Sequence, residues 1–346
     1  MPLDNTKNMD SYSIENILKN TPVTLVKKAS SLRLIHKLFP STNRLYFAIE
    51  KYTKKKGLIG IPWGKYQLLL PSRWLDRFSL SDFIFKGKEA TPELGLFQNI
   101  IPDSKKETIV DIGAAIGLYT LHLRQHSKAK IIAYEPSPLA FAVCKKNVEV
   151  NDLKDIEVKN KACGDRNGSI FLEVGINSCI SSDKSNNNLQ ESKQVGDLDD
   201  IATLTKESWT KQEVELVKLE EDLQFVERIS FIKIDCEGFE YNILAGAKRI
   251  IEEHSPILFI ELHPQFIQSY GHKIEEICEL LNPYYTLEYW DFQQERKMNR
   301  YTRFLSHYFP QKGYKFASET EMLEATVTPP IPTQLYLLGY PKPTSV

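Results

Sequence analysis

The sequence contains no apolar run long enough to cross a membrane and no closely spaced pair of cysteines. A membrane-spanning helix needs roughly 20 consecutive apolar residues, and no stretch of the chain reaches that length. The first residues are polar and lack the pattern of a signal peptide. The five cysteines lie far apart without a Cys-x-x-Cys motif, which argues against a zinc site or a disulfide framework. These absences predict a cytoplasmic protein in a reducing environment.

An excess of one charge is also missing. The 44 basic and 45 acidic side chains leave a net charge of −1 at pH 7, which argues against a general nucleic-acid-binding protein. Hydrophobic residues make up 42% of the chain, enough to bury a large core. Because 346 residues exceed the usual length of one domain, we predict an accessory arm, 1–56, and a larger domain, 57–346, whose core spans 91–291.

The predicted arm is basic from residue 19 onward, and Glu50 is its only acid between residues 19 and 56. Leucine and aromatic side chains are interleaved with the basic ones, a pattern that allows peripheral contact with an anionic membrane surface. A helical arm that packs on the main domain is the alternative interpretation. After the arm, two β-like runs at 58–61 and 66–70 predict a hairpin, and Thr91-Pro92 predicts the start of a helix.

The clearest pattern is a βαβ unit that ends at Glu135. An apolar, β-branched run over 108–112 breaks at a turn containing Gly113 and Gly117, and an amphipathic helix follows. A second apolar run, 130–134, then leads to Glu135. An acid at the end of the second strand of such a unit is placed to accept hydrogen bonds from ribose hydroxyls. The unit therefore predicts a nucleoside-binding half of an α/β sheet.

The turn favours S-adenosylmethionine over a dinucleotide. A pyrophosphate site needs Gly-x-Gly-x-x-Gly, whereas these two glycines lie four apart and Asp111 lies two positions before the first. A carboxylate there repels phosphate but suits the ammonium group of S-adenosylmethionine, with Glu135 holding the ribose. An ordinary crossover with a glycine turn is the structural alternative. The predicted cofactor contacts are Asp111, Gly113, Ala114, Gly117, Tyr119, Glu135, Pro136 and Ala162.

The helix and strand that follow extend this unit. A helix starting at Pro138 is predicted to end near Asn147 and Asn151, and a third strand spans 156–160. The end of that strand is where an adenine would be held, by backbone atoms and by Asp165. A turn aspartate in Gly-Asp-Arg-Asn-Gly is an equally strong interpretation of Asp165.

A second block of acids follows at 230–240. Its apolar strand ends in Asp235 and Glu237, and carboxylates at the carboxyl end of a strand in an open α/β sheet lie in the ligand crevice. An ion pair of Asp235 with Lys233, two residues earlier, is the structural alternative. The next apolar strand, 257–262, brings His263 to the same edge.

These three residues, Asp235, Glu237 and His263, are the predicted catalytic group. The two carboxylates would orient an acceptor hydroxyl, or a metal bound to it, and His263 would act as general base. A divalent metal stays uncertain and no residue is assigned as a metal ligand, because two nearby carboxylates are weak support for one.

Two segments are predicted to interrupt or cover the domain. The polar segment 175–213 is either an active-site lid or disordered, and a strand over 214–219 then pairs with 170–174. The aromatic and basic insertion 292–328 either binds a carbohydrate or acidic group or forms a covering helix. Strands at 285–290 and 335–339 could close the sheet as an antiparallel pair.

The two motifs together resemble the FkbM-type S-adenosylmethionine-dependent methyltransferases. The likeness extends over 57–271, and its specific part is Lys-Ile-Asp-Cys-Glu-Gly at 233–238. Two departures are visible: Ala115 stands where the family commonly has asparagine, and Cys236 replaces a usual valine. The resemblance implies a Rossmann-like, doubly wound, mostly parallel sheet of seven strands with an antiparallel last strand. It also implies O-methylation of a sugar, glycan or other small hydroxylated acceptor.

Two other function classes remain open at this point. One is an S-adenosylmethionine-binding module that transfers no methyl group and docks a partner or a membrane surface through the basic arm. The other, more distant, is a nicotinamide-dependent dehydrogenase. The expected partner is a small-molecule or carbohydrate acceptor rather than nucleic acid, and the sequence predicts neither the acceptor's identity nor an oligomeric state.

Overall fold

The computed structural model describes residues 18–19, 23–25, 57–71, 93–174, 179–180, 210–292 and 313–343. Most of the predicted arm, most of the polar segment and the first part of the insertion therefore lie outside the described residues, as does Thr91-Pro92. Membrane contact of the arm, packing of its undescribed part, and a lid or disorder in the polar segment stay predictions. Within the described chain, none of the helices combines the length and the apolar character that crossing a bilayer requires.

The described residues form fifteen strands. They are β1 (Val23–Leu25), β2 (Leu58–Trp63), β3 (Tyr66–Pro71), β4 (Thr108–Ile112), β5 (Lys130–Tyr134), β6 (Ile156–Lys159), β7 (Ala162–Gly164), β8 (Gly168–Val174), β9 (Cys179–Ile180), β10 (Thr210–Lys218), β11 (Ile229–Ile234), β12 (Ile257–Leu262), β13 (Tyr285–Asp291), β14 (Tyr314–Lys315) and β15 (Leu335–Pro341).

Nine helices separate these strands in the described part of the chain. They are α1 (Leu94–Phe97), α2 (Leu118–His126), α3 (Pro138–Val150), α4 (Leu219–Asp222), α5 (Glu240–Ala245), α6 (Lys248–His254), α7 (Pro264–Ser269), α8 (Ile274–Leu281) and α9 (Glu319–Val327).

One sheet of eight strands organises the domain, in the order β14-β13-β15-β12-β11-β4-β5-β6. Five neighbouring strands, from β6 to β12, run parallel, and β15 lies antiparallel between β12 and β13. The predicted doubly wound sheet with an antiparallel last strand is confirmed. The two-residue β14 adds an eighth strand at the edge of the seven that were expected.

The central strands are continuous apolar runs because both faces of the sheet are covered. Every residue of β4 and β11 is buried. Alternate residues point to opposite faces, so Ile109 and Phe231 join one apolar cluster while Val110 and Ile232 join the other. The core therefore lies in two layers, one on each side of the sheet, and polar groups are left to the strand ends.

Two smaller sheets flank the large one. β8 and β10 pair antiparallel in a sheet of order β7-β10-β8-β9, which confirms the predicted pairing of 170–174 with 214–219. β9 and the first residues of β10 fall within 175–213, so strands paired with β8 occupy both described parts of the segment that was predicted to be a lid or disordered. The predicted hairpin is confirmed as β2 and β3, and β1 from the arm pairs with β2.

The insertion 292–328 contains α9 and β14 in its described part. Met322 of α9 is completely buried in the main core. The latter half of the insertion is therefore a covering helix, one of the two interpretations of the sequence. The aromatic and basic residues between 293 and 312 lie outside the described residues.

Two asparagines, Asn147 in α3 and Asn151 just after it, hold the hairpin against the main domain. The Asn147 side-chain amide donates to the carbonyls of Leu69 and Ile116, both at 2.8 Å, and its oxygen accepts from the Leu69 backbone N–H at 2.6 Å. Asn151 binds the backbone of Gln67 in the same way, at 2.7 and 2.8 Å. α3 ends at Val150 with Asn151 as its C-cap, as predicted, whereas Asn147 lies inside the helix and satisfies the edge of β3.

A partly buried charge cluster joins the small sheet to the large one. Asp222, at the end of α4, accepts hydrogen bonds from Lys159 Nζ and the Tyr134 hydroxyl at 2.6 Å and from Lys161 Nζ at 2.9 Å. Burial by itself raises the pKa of Asp222, but these three donors outweigh it and lower the pKa to about 2. The ionised carboxylate is therefore the form that the folded protein stabilises.

Replacing Asn147 tests the attachment of the hairpin. Asn147→Ala leaves three buried backbone groups without their partner, so we expect it to lower the free energy of unfolding by about 1–3 kcal/mol. Urea denaturation followed by circular dichroism measures the change. Glu149→Ala, on the exposed side of the same helix, is the matched control and should stay within about 0.5 kcal/mol. Equal effects of the two substitutions would contradict the assigned role.

The Asp222 cluster makes a pH prediction. Because the pKa in the folded protein is lower than in the unfolded chain, the carboxylate's contribution to stability is complete above about pH 4 and is lost as the pH falls toward 2. Asp222→Asn should lower the free energy of unfolding by about 1–3 kcal/mol at pH 7. The difference between the parent and the variant should shrink between pH 4 and pH 2 in urea titrations. A difference that is constant over this range would be inconsistent with the cluster.

Candidate active site

The candidate site lies at the carboxyl ends of β4, β5, β11 and β12. From β4 the chain moves outward to β5 and β6, and it later returns to β11 on the other side of β4. In open α/β sheets this reversal of strand order opens a crevice between the loops, and ligands bind there. Both sequence motifs end at this crevice, because one follows β4 and the other follows β11.

The glycine turn after β4 is shaped by the second motif. Gly113 has a φ of +75°, and a Cβ at this position would lie 1.8 Å from the carbonyl oxygen of Asp235. The backbone N–H groups of Gly113 and Ala114 both donate to the Tyr134 carbonyl at 3.0 Å. Only glycine allows this close approach, so the turn is locked between the ends of β5 and β11.

Glu135 binds the backbone of the same turn. Its two carboxylate oxygens accept from the N–H of Ala115 at 2.7 Å and from the N–H of Ser137 at 2.8 Å. Burial raises the pKa of Glu135 to about 7, against the opposing effect of these two donors. Ala115 itself has a φ of +49°, a conformation that asparagine adopts more easily than alanine. Each oxygen of Glu135 keeps a lone pair for a further donor.

Asp111 occupies a different place from the one predicted. Its side chain is completely buried, its Oδ2 accepts from the Thr120 hydroxyl at 2.6 Å, and its Oδ1 lies 3.3 Å from Lys233 Nζ. Because the carboxylate is enclosed by α2 and β11, it supports the turn from beneath, and none of its surface is exposed to the crevice. The sequence pattern gave no sign of this, since burial is decided by the packing of α2.

Lys233 connects the two motifs. Its ammonium group donates to the Gly113 carbonyl at 2.9 Å, lies 3.5 Å from Asp235 Oδ2 and sits 4.7 Å from the centre of the Tyr119 ring. Burial by itself lowers the pKa of Lys233, but Asp111 and Asp235 outweigh it and raise the pKa above its usual value. The ion pair with Asp235 is therefore present, although the Asp235 side chain is still 24% exposed.

His263 lies among three carboxylates. Its Nδ1 is 3.3 Å from Glu240 Oε1, and its Nε2 is 3.4 Å from Glu237 Oε2 and 3.5 Å from Glu261 Oε1. Burial by itself lowers the pKa of His263, but contacts with Glu240 and Glu261 outweigh it and raise the pKa well above 6.5. An imidazole that holds a proton at neutral pH cannot accept one, so this environment opposes the predicted role as free general base.

The structure brings Asp235, Glu237 and His263 together, as the sequence predicted. One ligand atom from each residue lies within 4.8 Å of the other two. Asp235 and Glu237 are partly exposed to the crevice, whereas His263 is buried. Burial raises the pKa of Glu237, which makes its carboxylate a stronger base than an exposed one.

Three acids at the site were missed by sequence reasoning. Glu93, just before α1, accepts from the Tyr119 hydroxyl at 3.0 Å, and burial raises its pKa to about 8. No local pattern could have found it, because it reaches the site from a distant part of the chain. Glu240 and Glu261 lie inside the segments 230–240 and 257–262, and Glu261, two residues before His263, could have been found from its position on the same strand face.

The remaining predicted contacts lie around the crevice. Ala114 and Ala162 are buried, and Pro136 is half-buried at the end of β5, where its carbonyl accepts from the Asn160 side-chain amide at 2.9 Å. Gly117 has a φ of +86° at the start of α2. Asp165 is exposed and pairs with Arg166 at 3.0 Å, which favours the turn interpretation of that residue.

Comparison with known proteins points to one family. The profile of the methyltransferase FkbM domain matches residues 111–294. The chain is 28% identical over 157 residues to "Methyltransferase 1" of Beauveria bassiana, and the alignment covers 43% of this chain and 61% of that protein. It is 31% identical over 163 residues to "Methyltransferase sdnD" of Sordaria araneosa, with coverages of 42% and 61%. The match thus spans about three fifths of these relatives.

Solved structures include an FkbM methyltransferase from Methylobacillus flagellatus. It is 18% identical to this chain, with a TM-score of 0.37, and the alignment covers 60% of this chain and 48% of that one.

Gly113→Ala tests the contact between the two motifs. A Cβ close to the Asp235 carbonyl, at a φ unfavourable for alanine, should lower the free energy of unfolding by about 2 kcal/mol or more. Gly95→Ala is the matched control, since a Cβ there has no other atom within 4 Å. Urea denaturation of both variants measures the difference. If Gly113→Ala were as stable as the control, the turn would not be held against β11 as described.

Proposed function

Because the chain belongs to the FkbM family of methyltransferases, we propose that it transfers a methyl group from S-adenosylmethionine to a hydroxyl group of a sugar, glycan or other small acceptor. The observation that carries the proposal is the meeting of the glycine turn, Glu135 and the Asp235–Glu237 pair at one crevice. A nicotinamide dinucleotide fits this crevice poorly, because its pyrophosphate would approach a strongly acidic edge.

The residues around the turn fit S-adenosylmethionine. Glu135 retains lone pairs for ribose hydroxyls, and its position at the end of β5 is the one that a ribose-binding acid takes in such units. The turn from Gly113 to Gly117 lies at the start of α2, where the helix dipole favours the carboxylate of the methionine part. The acidic edge beyond Asp235 favours the positive charges of the ammonium and sulfonium groups.

Glu237 is the proton acceptor that the geometry favours. When bound, S-adenosylmethionine supplies a methyl group on sulfur, and transfer forms an O–CH₃ bond as the S–CH₃ bond breaks. The acceptor hydroxyl must be aligned and must lose its proton. Asp235 and Glu237 are exposed enough to bind that hydroxyl, and alignment of this kind supplies a large part of the rate of such reactions. The raised pKa of Glu237 suits it to take the proton better than His263.

Binding of S-adenosylmethionine tests the cofactor part of the proposal. In isothermal titration calorimetry we expect the parent protein to bind one equivalent. Glu135→Gln replaces one acceptor oxygen by a donor and should weaken binding tenfold or more, which corresponds to about 1.4 kcal/mol. Glu149→Gln, on the exposed face of α3, should bind as the parent does. No binding by the parent, or binding of NADH in its place, would contradict the proposal.

Incubation with labelled S-adenosylmethionine and a panel of sugars, glycans and small alcohols tests the transfer itself. The measured quantities are the labelled product and the released S-adenosylhomocysteine. Asp235→Asn should reduce turnover at least tenfold, since it removes the charge that orients the hydroxyl. Cofactor binding without transfer to any acceptor would favour the non-catalytic binding module.

A further inference from the structure

We propose that Asp235, Glu237 and His263 form a divalent-cation site at the edge of the crevice, and that the cation binds the acceptor's oxygen. Only the second claim, that the cation binds the acceptor's oxygen, rests on the proposed function. One ligand atom of each residue lies within 4.8 Å of the others. Two atoms that share a cation at 2.0–2.4 Å can be separated by at most about 4–4.8 Å. The three side chains are therefore close enough to share one ion with little movement.

The histidine is oriented as a metal ligand is. His263 Nε2 is buried and faces Glu237 at 3.4 Å and Glu261 at 3.5 Å, without a well-formed hydrogen bond to any of the described residues. A cation bound there would replace the proton that these carboxylates stabilise on the ring. The opposite ring nitrogen, Nδ1, contacts Glu240 Oε1 at 3.3 Å. Metal-bound histidines usually donate their second ring N–H to a carboxylate, which fixes the ring and directs the free nitrogen at the ion. Glu240 is completely buried and is held by the Gly238 N–H at 3.0 Å, so it can serve as this partner.

The balance of charge also favours a cation. The carboxylates of Glu237, Glu240 and Glu261 surround His263. Asp235 belongs to the same group of side chains, and the basic side chain of Lys233 contacts it. Lys233 Nζ lies 3.5 Å from Asp235 Oδ2, and a carboxylate can bind an ion through its second oxygen at the same time. Asp235 and Glu237 are 24% and 23% exposed, so an ion can enter from the crevice.

The donor set indicates the kind of ion. Two carboxylates and one imidazole combine the oxygen ligands preferred by Mg²⁺ and Mn²⁺ with the nitrogen ligand preferred by later transition metals. Mn²⁺ accepts both, and its six-coordinate geometry would leave three positions for water or for an acceptor hydroxyl. We therefore choose Mn²⁺ as the probe.

A cation resolves a conflict in the proposed reaction. Methyl transfer from a hydroxyl develops negative charge on the acceptor oxygen, and nearby carboxylates oppose that charge. A bound divalent ion offsets the carboxylates and lowers the pKa of the hydroxyl that it binds. Glu237 binds the ion through one carboxylate oxygen, and its other oxygen can accept the proton as the O–H bond breaks.

Electron paramagnetic resonance of free Mn²⁺ tests the site in the full-length protein without any acceptor. After treatment with EDTA and its removal, the parent should bind one Mn²⁺ per chain at micromolar to submillimolar concentrations. Glu237→Gln keeps the side-chain volume but removes a ligand charge and should weaken binding tenfold or more. Glu240→Gln should weaken it tenfold or more as well, because it removes the partner of His263.

Glu149→Gln on the exposed face of α3 is the control and should bind as the parent does. Thermal unfolding followed by circular dichroism confirms that each variant is folded, and Glu237→Gln is the decisive variant if Glu240→Gln does not fold. The proposal is overturned if the parent binds no Mn²⁺ at 1 mM, or if Glu237→Gln binds it as tightly as the parent. Calorimetry with S-adenosylmethionine on the same parent sample separates failure of the cation site from failure of the proposed function, because binding of the cofactor does not depend on the ion.

Discussion

The buried ammonium group of Lys233 is the contact on which the site depends. It lies between Asp111, the Gly113 carbonyl and Asp235, and so joins the loop after β4 to the loop after β11. A charge this deeply buried is stable only with its partners in place, and removing one partner of such a pair typically costs about 3–5 kcal/mol. The carbonyl of Asp235 meanwhile occupies the space beside Gly113. Neither motif can hold its shape without the other.

The concentration of carboxylates gives the crevice its chemical character. Burial raises the pKa of Glu93, Glu135, Glu237 and Glu261, because removing a carboxylate from water disfavours its charged form, and neighbouring carboxylates add to this effect. Such an arrangement is costly without a positively charged partner. Both proposals supply one: a sulfonium cofactor near the glycine turn, and a divalent ion at the far edge between β11 and β12.

The order and type of the elements could be predicted because each carries its own local signal. The apolar runs of β4, β5, β11 and β12 mark strands that are buried on both faces, and the glycines and acids after them mark the edge where a ligand binds. Local signals failed where a residue's role depends on a distant partner. Asn147 was interpreted as the end of a helix because its contact with β3 lies 78 residues away in sequence.

The sequence by itself therefore determined the family, the doubly wound sheet that the family likeness implies, and part of the set of acids near the crevice, since the motifs that carry them are contained in short segments. Only the tertiary structure decided which of those acids face the ligand. It buried Asp111 beneath the turn, left Asp235 and Glu237 partly exposed, and surrounded His263 with carboxylates. Exposure and pKa depend on packing between elements that are far apart in the chain, and no local pattern encodes that packing.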